Sequence, residues 1–548
     1  MKRITFLFLG LTLGCMGFSQ TVELAKLSAG NMVSSTTLYD REKNDIYGYF
    51  LVYKEDKTGK TENKYEYVLL DKNLNKVFDG EFKEKMLPIP SGKLNKEYYG
   101  TDLAFSPVYR NGFISIGIAM NGTFSSDNPF KYRLLDVKEN KLSDAFTLLP
   151  DLTKKYNPEI ADKRKNIVFF KYNPNTFGYT IDAPLKNGDA IPDYEKNTYF
   201  INEKLDTLWS YSYNENGANK NKYTYISFSH NYDDDKHNKN ILIAFKNLVE
   251  KNNQKQRDSG YVNNCSYLVF DKNNGKLISE IFPFNKPYEG GIKDIFVKRT
   301  FIDEAKQTVT FIAHTMNTKE AIMDERHIQG FAKAVYSLKD GRELKRDYFS
   351  WNQLAPYLNI DNNGYVKEKN GANYYLYLHD DVLMKDDGNT IYIMEEYKPF
   401  YSSIHNNGAK IKDLFFMELD RDMKVVQFQR IDKGENSVYN YSTMLSMFGS
   451  DIDAFGYFDY SGYQDLGNDD YLFFYYNKQK PESGGKKQWV LGIVSYIDGK
   501  FSEQKLPLKS EDGSNMVITP AKKGYIMVYE TFKDPNRSPE LRLEKINY

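Results

Sequence analysis

The chain is short of cysteine, of net charge and of long apolar runs, and each shortage closes off a class of protein. Two of its 548 residues are cysteines. Cys15 falls in an N-terminal leader, so Cys265 stands alone, no intrachain disulfide forms, and stability must come from core packing. Cys265 opens a strand and reads as a small buried apolar side chain. Lys plus Arg and Asp plus Glu both total 74, so no overall field draws in nucleic acid or an anionic membrane. Dense basic runs, which phosphate binding needs, are missing too. No segment beyond the leader approaches the ~18 apolar residues of a membrane-spanning helix. Helix signals are confined to residues 304–307 (EAKQ) and 318–326 (TKEAIMDER). No Pro-rich, Gly/Ser-rich or acidic linker divides the chain.

Familiar catalytic patterns are missing as well: GxSxG, HExxH, GxxxxGKS/T and GxGxxG. So are S-x-D-x-G-x-T-W turns, WD dipeptides and kelch double-Gly hairpins. An enzyme is not excluded by this, because propeller active sites are often assembled from several blades.

What is present begins with an export signal. Lys2 and Arg3 precede an apolar core, and Gly17-Phe18-Ser19 forms a small-x-small cleavage site. Cleavage would leave residues 20–548 with a net charge of about −2. A competing reading makes Cys15 a lipidated N-terminus, although Thr12 sits where lipoprotein signals usually carry Leu. The mature protein is expected in the periplasm or at the cell surface, as a monomer without a transmembrane segment.

Aromatics make up 15% of the chain and favour strands. From Asn240 to Phe284 the pattern is strand, loop, strand, tight turn, strand. Ile241–Phe245 and Tyr267–Phe270 are unbroken apolar runs too short for helices, which implies burial on both faces. Asn274-Gly275 supplies the positive φ values of a tight hairpin. Variants recur with first strands near residues 46, 113, 167, 241, 308, 390, 471 and 524, a spacing of about 68 residues. In the third unit IVFFKYN, from Ile167, is matched with TYFINEKLD, from Thr198. A shorter run precedes most units, giving four strands each. The expectation is an all-β propeller of eight blades, or seven, in one domain spanning 20–548. The last unit lacks a final strand while residues 22–27 are spare, so the two ends should pair and close the ring.

The leader ending in FSQ and the hairpins YVLLDKNLNK, YLVFDKNNGK and FFMELDRDMK resemble those of secreted, propeller-like proteins of unknown function from Gram-negative bacteria. The resemblance implies an envelope location and carries over no catalytic residue.

Three groups of residues are candidates for chemistry. His230, Asp233, Asp234, Asp235 and His237 could hold a divalent cation, against the plainer reading of a solvated turn; no other cofactor is implied. His379-Asp380-Asp381 repeats the His/Asp theme in the sixth unit. Asp451, Asp453 and Asp459 stand among aromatics, as the paired carboxylates of a glycan-active enzyme would, against the plainer reading of an acidic loop. Asp271, Asn273 and Gly275 mimic the start of a Ca²⁺ loop but lack its distal Glu, and read as a turn. Tyr179, Tyr194, Tyr457, Tyr460 and Tyr463 are candidate exposed stacking platforms for a glycan. The expected role is a non-catalytic binding or scaffold protein, with an envelope protein or a glycan as partner. The alternatives are a glycan-active enzyme and a lipid-anchored part of an envelope assembly.

Overall fold

The computed structural model describes residues 20–546. Excluded are short gaps and the stretches 121–130, 147–168, 183–196, 213–222, 231–239, 251–264, 284–293, 317–327 and 441–448. The described strands form seven four-stranded sheets and one of seven strands, all paired antiparallel, with a two-stranded ribbon at Pro88–Pro90 and Glu97–Tyr99. In chain order the sheets span 31–85, 103–142, 169–212, 223–281, 294–350, 365–440, 460–507 and 515–545. The fold is an all-β propeller.

The unbroken apolar runs do what their pattern requires. Along Ile241–Ala244 and Tyr267–Phe270 successive side chains enter different cores. Ile243, Tyr267 and Val269 pack with Phe311 and Tyr336 of the following sheet. Leu242, Ala244, Leu268 and Phe270 pack with Phe200 and Trp209 of the preceding one. Each sheet is therefore covered by its neighbours, which stabilises elements that would be marginal alone. The same interleaving joins 31–85 to 103–142, 294–350 to 365–440, and 365–440 to 460–507. It also joins 460–507 to 515–546. Between 103–142 and 169–212, the Lys204 ammonium lies 5.4 Å over the Phe113 ring.

The ends meet as the spare-strand argument requires. Gln20–Glu23 pairs antiparallel with Glu540–Lys545, matching Gln20 with Leu543 and Val22 with Leu541. The Leu24 amide donates to the Pro539 carbonyl at 3.3 Å. Leu24 is buried among Ile46, Tyr49, Leu51 and Leu541, a core shared by the last sheet and the first.

Two local expectations need correction. In the third unit, Phe169–Asn173 does not pair with Asn197–Ile201; Gly178–Asp182 lies between them. That strand is hidden in a polar insertion where no apolar run marks it. The Asn274-Gly275 turn is also longer than a two-residue hairpin. Only Gly275 has positive φ (72°), and the Asp271 carboxylate accepts from the Asn273 amide and the Asn274 side chain. Two-residue turns with both φ positive occur instead at Asn111-Gly112, Asn468-Asp469 and Asp498-Gly499. Residues 304–307 form a turn, whereas 318–326 lie outside the described residues.

Related turns at 71–75, 202–206 and 420–424 follow one design. Asp71, Asn202 and Asp420 each accept two backbone amides through one side-chain oxygen. The left-handed residue is then Leu74, Leu205 or Met423, each buried. Burying an apolar side chain offsets a conformation that normally favours glycine.

Candidate functional site

One strand line of the 365–440 sheet is broken. Asn373–Leu378 and Leu383–Met384 both pair with Thr390–Ser403, and residues 379–382 between them leave the ladder. The His379 amide still reaches the Ile393 carbonyl at 3.0 Å, which fixes where the break begins. Across the interface, Tyr460–Gly467 opens the next sheet with a bulge between Tyr460 and Gly462. The short helix Gly449–Ala454 lies between the two sheets in sequence. Together these irregularities gather polar groups from three chain segments into one place.

At its centre the Lys433 ammonium stands 2.6 Å from Glu395 Oε1 and 2.5 Å from Asp459 Oδ2. Lys433, Glu395 and Asp459 are all buried. Asn477 Nδ2 donates to Asp459 Oδ2 at 3.0 Å and to the Lys433 carbonyl at 3.1 Å. The Asp459 amide donates to Glu395 Oε1 at 3.1 Å. His379 extends the network, with Nε2 3.0 Å from Glu395 Oε2 and Nδ1 3.7 Å from Asp453 Oδ1. Its ring packs against Phe458 and Tyr460. Burying ions is costly unless they are paired and hydrogen-bonded, and each member here has such partners.

The electrostatics follow from that pairing. Burial opposes the charge on Lys433, but Asp459 and Glu395 outweigh it and raise its pKa. Burial also opposes the Glu395 charge, yet Lys433 and His379 hold that carboxyl below its usual range. Asp459 is raised, by burial first and with Glu395 adding to it. Burial would lower His379, but Asp453 and Glu395 raise it, and His379 in turn lowers Asp453 against the effect of burial.

Tyr460 donates its hydroxyl to Asp381 Oδ2 at 2.9 Å, and Lys298 Nζ lies 2.5 Å from Asp380 Oδ1. Burial, and after it the charge of Asp381, raises the Tyr39 phenol. Tyr39 belongs to the 31–85 sheet, which is not a sequence neighbour of the 365–440 sheet. Its strand, Asn31–Asp40, also touches Leu103–Arg110, the first strand of the next sheet. Tyr39 keeps 51% of its surface open. The Asp381 carboxyl is raised by burial, against the influence of Tyr460, Arg299 and His379.

Among the sequence candidates, Asp453 and Asp459 enter one network, but as unlike members. Asp459 is buried under Lys433, which corrects its reading as a loop carboxylate, while Asp453 is partly open on the helix. Asp451 shares that helix, but its side chain lies outside the description. Tyr457, Tyr460 and Tyr463 are partly buried rather than exposed in long loops: Tyr460 and Tyr463 sit in a strand, and Tyr457 packs near Phe458. Asp233, Asp234, Asp235, His237, Tyr194, Cys15 and residues 1–19 lie outside the described residues. So do the side chains of His230, Tyr179 and Cys265, although their strands are defined. Glu395, Lys433, Asn477 and Tyr39 were missed. A signal existed for one of them, since two acids, Glu395-Glu396, interrupt a strand that otherwise reads as buried.

Glu395 and Glu396 diverge at a bulge in their strand. Glu396 joins Glu368 and Asp413, and one oxygen from each lies within 4.8 Å of the others, close enough to share a metal ion. Burial, with Asp413 adding to it, pushes the Glu396 carboxyl up to about 8.

Solved structures similar to the chain are distant. The β-propeller domain of the Trilobed protease from Pyrococcus furiosus matches at 10% identity and TM-score 0.28, covering 81% of this chain and 96% of that one. An endo-arabinase from Bacteroides thetaiotaomicron matches at 10% identity and TM-score 0.22, covering 56% and 90%. Porphyromonas gingivalis dipeptidyl peptidase 4 matches at 8% identity and TM-score 0.23, covering 87% and 65%. Likenesses this distant say nothing about chemistry. No curated protein matches the chain. Residues 1–547 match the family described as "Family of unknown function (DUF6770)", and the chain belongs to that family.

Proposed function

We propose that the protein is an exported binding or scaffold module of the bacterial envelope, with residues 1–19 removed and residues 20–548 forming one propeller domain of eight blades. The ligand sits at the inner mouth where Asp453, Asp380, Asp381 and Tyr39 come to the surface. One observation carries this reading: Lys433 pairs with both buried carboxylates, Glu395 and Asp459, so they act as a pin between sheets rather than as reagents. A pinned rim is preorganised, and loops on a rigid scaffold are where binding concentrates.

The second reading is a glycan-active enzyme, and the partly open Asp453, held ionised beside His379, favours it. Glycoside hydrolysis needs two carboxyl groups ~5–9.5 Å apart facing one sugar, and Asp459 faces Lys433 instead. A panel of polysaccharides and envelope proteins, scored for retention and for reducing-end release, separates the two. Retention without release, weakened by Asp453→Asn, supports the binding module; release abolished by Asp453→Asn replaces it with the enzyme. Lipid anchoring through Cys15 is the third reading. Mass spectrometry of the mature N-terminus decides it, because a diacylated Cys15 and a free Gln20 exclude each other.

A further inference from the structure

We propose that Glu368, Glu396 and Asp413 form a Ca²⁺-binding site on the face of the 365–440 sheet opposite the Lys433 pin. Their three carboxylate oxygens lie within 4.8 Å of one another. Ligands around one Ca²⁺, at ~2.3–2.6 Å each, fall within about that separation. The second observation is independent of clustering. Glu396 Oε1 and Asp413 Oδ1 are buried and have no hydrogen-bond partner among the described residues, and both residues are almost wholly inaccessible. Buried carboxylate oxygens rarely go unsatisfied, and each such case asks for an ion, a water or a proton.

The neighbouring cations leave room for the ion. Arg430 Nε donates to Asp413 Oδ2 at 2.6 Å, the oxygen turned away from the unpartnered one. Glu368 meets Arg430 through Oε1 and Lys412 through Oε2, both at 2.8 Å. The Asp413 amide donates to Glu396 Oε2 at 3.4 Å. Arg430 and Lys412 compete with the ion for the Glu368 and Asp413 oxygens, so the site is weak rather than tight. Lys412 lies 5.3 Å over the Tyr374 ring and is partly exposed, so it can turn outward and release a Glu368 oxygen to the metal. A set made wholly of carboxylates suits a hard cation of flexible coordination, hence Ca²⁺ over Zn²⁺. Water completes the shell.

The test is calorimetric titration of Ca²⁺ into the EDTA-treated full-length protein, with thermal melts alongside. One saturable site is expected, with Kd on the order of 10⁻⁴ M, and a melting midpoint that rises with Ca²⁺. Glu396→Gln should weaken binding at least about tenfold while melting no earlier than wild type in EDTA, since it keeps the shape and asks for no buried charge. Glu368→Gln, a more exposed change, should weaken binding as well. No heat and no midpoint shift up to ~100-fold over that Kd, or wild-type binding by Glu396→Gln, would overturn the site and leave a proton on Glu396 instead.

Discussion

Replacing Lys433 by Met removes the one positive charge between Glu395 and Asp459. Lys433 is 1% exposed and its partners 0% and 4%, so water cannot take over its role. Two like charges are then left buried, and of the two His379 reaches Glu395. Breaking a buried pair from one side costs about 3–5 kcal/mol, a large share of a typical net stability of ~5–15 kcal/mol. Urea unfolding followed by fluorescence should show a lower midpoint with an unchanged slope. Lys433→Met combined with Glu395→Gln and Asp459→Asn should recover most of the loss, because no uncompensated ion remains. A single-variant cost below about 1 kcal/mol, the range of exposed pairs, would refute the claim that this cluster pins two sheets.

Further outcomes follow from the same geometry. His379 has a raised pKa when folded, so its stabilisation is complete below the ordinary value of ~6.5 and is lost as pH rises through the raised one. Stability measured from pH 6 upward should decline more steeply in wild type than in His379→Gln; parallel curves would contradict the His379–Glu395–Asp453 chain. Leu24→Ala should cost about 2–5 kcal/mol in urea unfolding, since Leu24 belongs to the core that joins the last sheet to the first. Gly330→Ala should be among the costliest small substitutions. Gly330 has φ +148°, and an added Cβ would stand 1.9 Å from the Phe349 carbonyl oxygen. A loss beyond about 1 kcal/mol is expected on the conformational ground alone.

The sequence made the architecture legible where burial leaves a pattern. Ile241–Phe245 and Tyr267–Phe270 carry unbroken apolar runs because both faces are covered, and the spare residues from 22 onward carry their pairing because an edge must be closed. Gly178–Asp182 escaped because a strand in a polar insertion has no such pattern. The site was half legible. Asp453, Asp459, His379, Asp380 and Asp381 attract notice as polar residues among aromatics. Lys433, in an ordinary-looking Asp-Lys-Gly turn, becomes decisive only when folding sets it between Glu395 and Asp459. Tyrosine exposure was misjudged for the same reason: Tyr460 looks like a loop residue until its bulged strand turns its hydroxyl to Asp381.

The Gln20–Glu23 pairing with Glu540–Lys545 joins the two chain ends and closes the ring. Hydrogen–deuterium exchange of the amides at 20–24 and 541–543 measures that closure directly. Protection comparable to that of the Cys265–Asp271 strand is the predicted result; exchange as fast as in a frayed tail would contradict it.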